Sequence, residues 1–122
     1  MEKQSSFKSW ADSAARLVAV AAGRESADLV LRNLRLVNVQ SREVLDGWQV
    51  AVADGRFAYV GPDASHCIGE VTQVVDAGGR YLIPGLCDGH MHIESGMLTP
   101  AEFARAVIPH GTTTMFTDPH EI

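Results

Sequence analysis

Two stretches decide the fold: Gly85-Leu86-Cys87-Asp88-Gly89-His90-Met91-His92, and further on Thr112-Thr113-Thr114-Met115-Phe116-Thr117-Asp118-Pro119. Leu86 and Cys87 lead the first into its histidines, and the second is a β-branched run that stops at Asp118-Pro119, so both predict strands. Between them Thr99-Pro100-Ala101-Glu102 opens a helical pattern with Phe103, Ala106 and Val107 on one face. Thr99 and Glu102 have capping-box spacing, and Pro100 stands at the first helical position, where no amide donor is needed. Pro109 and Gly111 close the helix. Residues 85–118 therefore predict strand, helix, strand, and a crossover of that kind makes a parallel, right-handed βαβ unit.

The chain before this unit follows a different pattern. Leu29, Leu31, Leu34, Leu36, Val37 and Val39 predict one or two strands with a turn near Arg32 and Asn33. Val50 and Val52, then Asp54-Gly55, then Phe57 and Tyr59 form a hairpin signal, because Asp-Gly accepts the positive φ angles of a tight primed turn. A strand at 71–75 ends at Asp76-Ala77-Gly78-Gly79 and is followed by Tyr81-Leu82-Ile83. Residues 28–83 are thus expected to form a small antiparallel sheet. Further upstream, Phe7, Trp10, Ala11, Ala14, Val18 and Ala21 recur at spacings of three and four, which predicts an amphipathic helix docked through that face and stopped at Gly23. There is no internal repeat.

Composition bounds the function. The 122 residues are 46% hydrophobic and 20% charged, an ordinary globular balance. Ten Lys and Arg against fifteen Asp and Glu give a net charge of −5, which offers no basic field to a phosphate backbone and argues against nucleic acid as a partner. No apolar run approaches the roughly 20 residues of a membrane span, and Glu2 and Asp12 upstream of the apolar run at 17–22 argue against a secretory signal. Cys67 and Cys87 form no CxxC pair, so neither a disulfide framework nor a Cys-rich zinc knuckle is indicated, and a reducing, cytoplasmic compartment fits.

Four of the five histidines, His90, His92, His110 and His120, surround the βαβ segment. His90 and His92 are two apart on an extended stretch, so both side chains leave the same face and can meet one cation. Neutral imidazole suits zinc, iron and manganese where carboxylates join in. Spacing alone describes two polar residues at a strand end equally well. The context favours a site, because in parallel α/β folds the C-terminal strand ends share a face, and in barrels that face carries the chemistry. Asp118, His120 and Glu121 follow the second strand and would open toward the same mouth; a strand stop and a solvated loop are the plain alternatives. His110 reads as a surface residue, and His66 has no partner pattern. His92-Ile93-Glu94 matches the HxE half of the zinc nucleobase-deaminase signature, but the PCxxC half is absent. Glu94 is left as a candidate for substrate contact or for support of a ligand.

Val75-Asp76-Ala77-Gly78-Gly79 followed by Ile83-Pro84-Gly85-Leu86-Cys87-Asp88-Gly89-His90-Met91-His92 resembles the entry sequence of the amidohydrolase superfamily. The segments 89–95 (GHMHIES) and 113–122 (TTMFTDPHEI) are similar to the branch of it that deaminates adenine, and the resemblance spans residues 28–122. It implies a mixed α/β fold: a small β-sandwich-type sheet joined to the first βαβ unit of a TIM-like (β/α)8 metal-dependent hydrolase barrel. The expected division is an N-terminal helix at 1–27, the sheet segment at 28–84 and the start of the barrel at 85–122. Such a barrel takes about 250 residues, so it is expected to be incomplete in this chain, which on its own is expected to be inactive.

The implied reaction is hydrolytic deamination of adenine to hypoxanthine and ammonia at a site holding two divalent metals, manganese or iron, with zinc possible. A metal acidifies water to give hydroxide that attacks C6 of the purine, and an acid protonates the departing amine. His90 and His92 match the first-strand metal ligands. His120 is a further ligand candidate, Glu121 and Asp118 are catalytic candidates and Glu94 a substrate-binding one. The partners implied are a small purine and further copies of the full-length enzyme in a homo-oligomer. Competing expectations are another amidohydrolase acting on a cyclic amide or N-acyl group, and a non-catalytic β-sandwich module.

Overall fold

The computed structural model describes residues 8–118. His120 and Glu121 lie outside the described residues, as does Phe7 of the expected helix face. The chain divides into two compact units, Met1–Ile83 and Pro84–Ile122.

In the first unit, helix α1 (Trp10–Ala21) packs on a five-stranded sheet. Ser9 caps the helix by accepting from the Asp12 amide, and Gly23, at φ 69°, lies just beyond its end. The buried stripe of α1 is Ser13, Leu17 and Val20, not the face expected from Trp10, Ala14 and Val18. Trp10 and Val18 are exposed. The helix is apolar or small almost all round, so periodicity finds it without selecting its face. Small side chains select it instead: Leu17 and Val20 seat against Ala27, Val30, Ala51, Ala53, Ala64 and Cys67, a surface that permits close approach.

Strands β1 (Leu29–Asn38), β2 (Glu43–Ala53), β3 (Arg56–Gly61), β4 (Gln73–Asp76) and β5 (Tyr81–Leu82) make up the sheet. Its order is β3-β2-β1-β4, with β5 also paired to β1. The β2–β3 hairpin turns at Asp54 and Gly55, both at positive φ (50° and 69°), as the Asp-Gly pair predicts. Three features differ from expectation. β1 is one continuous strand; the expected turn is a local irregularity in which Asn33 takes φ 54° and its amide donates to Asp76. The sheet is mixed, since β4 and β5 both pair with β1 in parallel. Strand residues encode burial and backbone preference but not partner direction, and the chain returns to β1 by crossover rather than by hairpin. Among the described residues of the first unit there is one sheet, with α1 on it, where a sandwich-type arrangement was expected. Between β3 and β4 the only helical segment is a three-residue 3-10 turn, Ser65–Cys67.

The helix is also held by charge. Arg16 bridges Asp28 and Asp54, and Lys8 reaches Asp54 at 3.1 Å. The Arg16 guanidinium holds the Asp28 carboxyl below its ordinary range, partly opposed by burial. Asp54 is lowered too, first by the Lys8 hydrogen bond. Burial pushes the Cys67 thiol up, which suits a packing role.

In the second unit, β6 (Leu86–Met91) and β7 (Thr112–Thr117) pair in parallel, with α2 (Pro100–Val107) between them in sequence. Thr99 accepts from the Glu102 amide at 3.3 Å, which is the expected cap. Gly85 enters β6 where a Cβ would collide with the Thr113 side chain, so the approach of the two strands requires a glycine there.

Candidate metal centre

His90 lies within β6 and His92 one residue past its end. Extended backbone sends residues two apart to one side, and their imidazoles meet there: Nε2 of His90 and Nε2 of His92 are 2.8 Å apart, with the rings edge to face at a centroid distance of 4.6 Å. Asp88 contributes a feature that sequence reasoning missed. Its carboxylate accepts from the His90 amide at 3.1 Å, which fixes the backbone that carries the first histidine. An Asp two residues before a strand-end residue is the signal for such a turn.

The chain folds back at once after His92. A 3-10 turn, Glu94–Gly96, ends at Met97 in the left-handed region, φ 51°. This places Oε1 of Glu94 at 3.5 Å from Nδ1 of His92, the far side of the ring from His90, and both atoms are shut off from solvent. Glu94 also lines a depression of about 290 Å³ with Ile93, Leu98, Pro100 and Thr117. Asp118 reaches the strand end as expected: its amide donates to the Met91 carbonyl at 3.3 Å, one step beyond the Met91–Thr117 register pair. His110 is exposed in a 3-10 turn, Ile108–His110. His66 contacts the first unit's own elements, its Nε2 lying 3.1 Å from the Ala21 carbonyl and its ring edge-on to Tyr59.

The donor set fits a divalent cation in part. Metal–imidazole bonds of about 2.0–2.1 Å at a tetrahedral centre hold two nitrogens about 3.3 Å apart, a few tenths of an ångström more than the 2.8 Å observed. Small ring rotations therefore suffice to admit an ion between His90 and His92. Among the described residues no group of three His, Cys, Asp or Glu converges on one point. No helix among them is long and apolar enough to cross a membrane.

Residues 81–122, which carry the parallel strand pair and both convergent imidazoles, match the family model described as the amidohydrolase family. Within that class the likeness narrows to the adenine deaminases. The chain is 76% identical over 116 residues to adenine deaminase 1 of Jannaschia sp. (strain CCS1), covering 95% of this chain and 20% of that protein. It is 72% identical over 116 residues to the adenine deaminase of Ruegeria pomeroyi (95% and 19%) and 56% identical over 106 residues to that of Clostridium botulinum (87% and 18%). The chain thus spans about a fifth of the length of the curated relatives it matches. Among solved structures, a molinate hydrolase aligns with a TM-score of 0.60 at 20% identity, covering 76% of this chain and 24% of that one. An amidohydrolase aligns with a TM-score of 0.59 at 22% identity (73% and 25%). These two establish likeness of fold alone.

Proposed function

We propose that the polypeptide carrying this chain is a metal-dependent amidohydrolase that deaminates adenine to hypoxanthine and ammonia, with His90 and His92 holding a divalent metal at the mouth of a (β/α)8 barrel that begins at β6. The observation that carries this reading is the 2.8 Å convergence of the two Nε2 atoms at the end of a parallel strand. The 76% identity to an adenine deaminase supports the choice of substrate. In the domain reading, residues 1–27 and 28–84 are scaffold and residues 85–122 start the barrel.

Bound there, a divalent metal supplies hydroxide near neutral pH by acidifying water. Manganese or iron in a binuclear site is the proposed form. His90 and His92 supply lone pairs from one face of β6, and Asp88 keeps His90 in place through its amide. Asp118, just past β7 with its amide donating to the Met91 carbonyl, is the proposed proton donor to the departing amine, and Glu121 is the second candidate for that step. His120 is proposed as a further ligand. The partners are a small purine and, in the assembled enzyme, further copies of the chain. The balance of −5 argues against nucleic acid, and a cytoplasmic location is consistent with two free cysteines.

The test is direct. The full-length polypeptide, loaded with Mn²⁺ or Fe²⁺, is offered adenine, a cyclic amide and an N-acyl substrate while products are separated by chromatography. Hypoxanthine formation is the expected result. Turnover of one of the other substrates with none of adenine would contradict the substrate assignment, and no turnover of any would favour a non-catalytic module.

A further inference from the structure

We propose that Glu94 is a positioning residue for His92: its carboxylate holds the imidazole proton on Nδ1 and so directs the Nε2 lone pair to the cation. The inference rests on the reading of His90 and His92 as the metal-holding pair and assigns the role of a third side chain beside them.

Proton location decides the role of Glu94. Between two neutral imidazoles 2.8 Å apart, one of the facing nitrogens carries the shared hydrogen. A cation held by both Nε2 atoms needs a lone pair from each, so both rings must then carry their proton on Nδ1. For His90, which is exposed, solvent can accept from that proton. For His92 the situation differs, because its Nδ1 is shut off from water and a buried N–H requires an acceptor. The group opposite it is Oε1 of Glu94, at 3.5 Å. That separation exceeds the roughly 2.7–2.9 Å of a charge-assisted hydrogen bond, and a modest rotation of either side chain closes it. The backbone is built for the contact: the 3-10 turn Glu94–Gly96 begins two residues after His92, and Met97, in the left-handed region, ends it. The turn thus accompanies the approach of Glu94 to Nδ1, on the side of the ring away from His90.

A substrate-contact role for Glu94, suggested by its place in the wall of the 290 Å³ depression, predicts a different outcome. Substrate contact changes KM or kcat and leaves metal affinity alone. Positioning changes metal affinity in the absence of any substrate.

Zn²⁺ affinity of the full-length polypeptide is measured by competition with a chromophoric chelator for the parent, Glu94→Gln, Glu94→Ala and His92→Ala, with circular dichroism to confirm folding. Loss of a carboxylate that orients a ligand histidine typically weakens metal binding by about 10- to 100-fold. That loss is expected for Glu94→Ala, with a smaller one for the near-isosteric Glu94→Gln, which keeps an acceptor without the charge. In the Zn²⁺-loaded parent, ¹⁵N NMR of the His92 ring is expected to show the proton on Nδ1. Parent-like Zn²⁺ affinity in both Glu94 variants, with loss in His92→Ala, would overturn the positioning role while leaving the metal site standing. Parent-like affinity in folded His92→Ala would overturn the metal-holding pair and the inference together.

Discussion

In the first unit Val20, Val30, Leu34, Val50 and Cys67 are fully buried, whereas residues 84–118 of the second contain no buried residue. There Leu86, Leu98, Ile108 and Phe116 remain between 46% and 63% exposed. The first unit closes a core around alanines and pins its helix with Arg16; the second gathers two histidines, Asp88 and Glu94 around the end of β6. Parallel strands are ordinarily covered on both faces, so the apolar residues of β6 and β7 match a burial that the described residues do not supply. The difference teaches a division of labour: substitutions in the first unit should register as stability, and substitutions in the second as metal binding and its geometry.

The sharpest way to break that division is at Leu34, which is fully buried. Leu34→Ala is expected to cost about 2–5 kcal/mol through lost burial and the cavity left behind, read as a lower denaturant midpoint. Zn²⁺ stoichiometry in the folded protein should be unchanged, and a parallel loss of metal would erase the distinction between the units. A smaller effect is expected in the second unit from Gly85→Ala. The new Cβ meets a short, stiff Thr113 side chain, and overpacking of this sort costs about 1–3 kcal/mol. Because the clash separates β6 from β7, metal affinity should fall with stability, and Thr113→Ala in the same chain should restore part of both. Full tolerance of Gly85→Ala would show that the strands need not approach so closely.

The smallest effect is electrostatic. Asp28 and Asp54 have depressed pKa values in the folded state, so their pairing stabilises the fold above the ordinary carboxylate value near 4 and is lost as pH falls through the lower folded values. Arg16→Ala removes the shared partner. At neutral pH it should lower stability only slightly, and it should flatten the fall in stability as the pH drops below the ordinary carboxylate value near 4. An unaltered acid limb in urea titrations across that range would rule out the Arg16 clasp.

How much of this was legible in the sequence varies with how local the cause is. The Asp54-Gly55 turn, the Thr99 cap and the convergence of His90 and His92 follow from a few adjacent residues, and the structure has all three. The docking face of α1 is not legible in the sequence, because Ala, Leu and Val surround the helix and the choice of Ser13, Leu17 and Val20 is made by the alanine-rich surface they meet. The parallel pairing of β4 and β5 with β1 was equally hidden, since it depends on the path of the chain between strands. At the site, Glu94 was recognisable as a residue of interest, but its approach to Nδ1 of His92 depends on a turn ending in left-handed Met97, a residue that carries no turn signal.

The central claim is that His90 and His92 hold a divalent metal. Metal content per full-length polypeptide, measured by inductively coupled plasma mass spectrometry after purification without chelators, tests it most directly in the parent and in the His90→Ala, His92→Ala double variant. The account predicts stoichiometric metal in the parent and loss of at least one equivalent in the double variant, with the circular dichroism spectrum and denaturant midpoint close to those of the parent. Equal metal content in a folded double variant would contradict it.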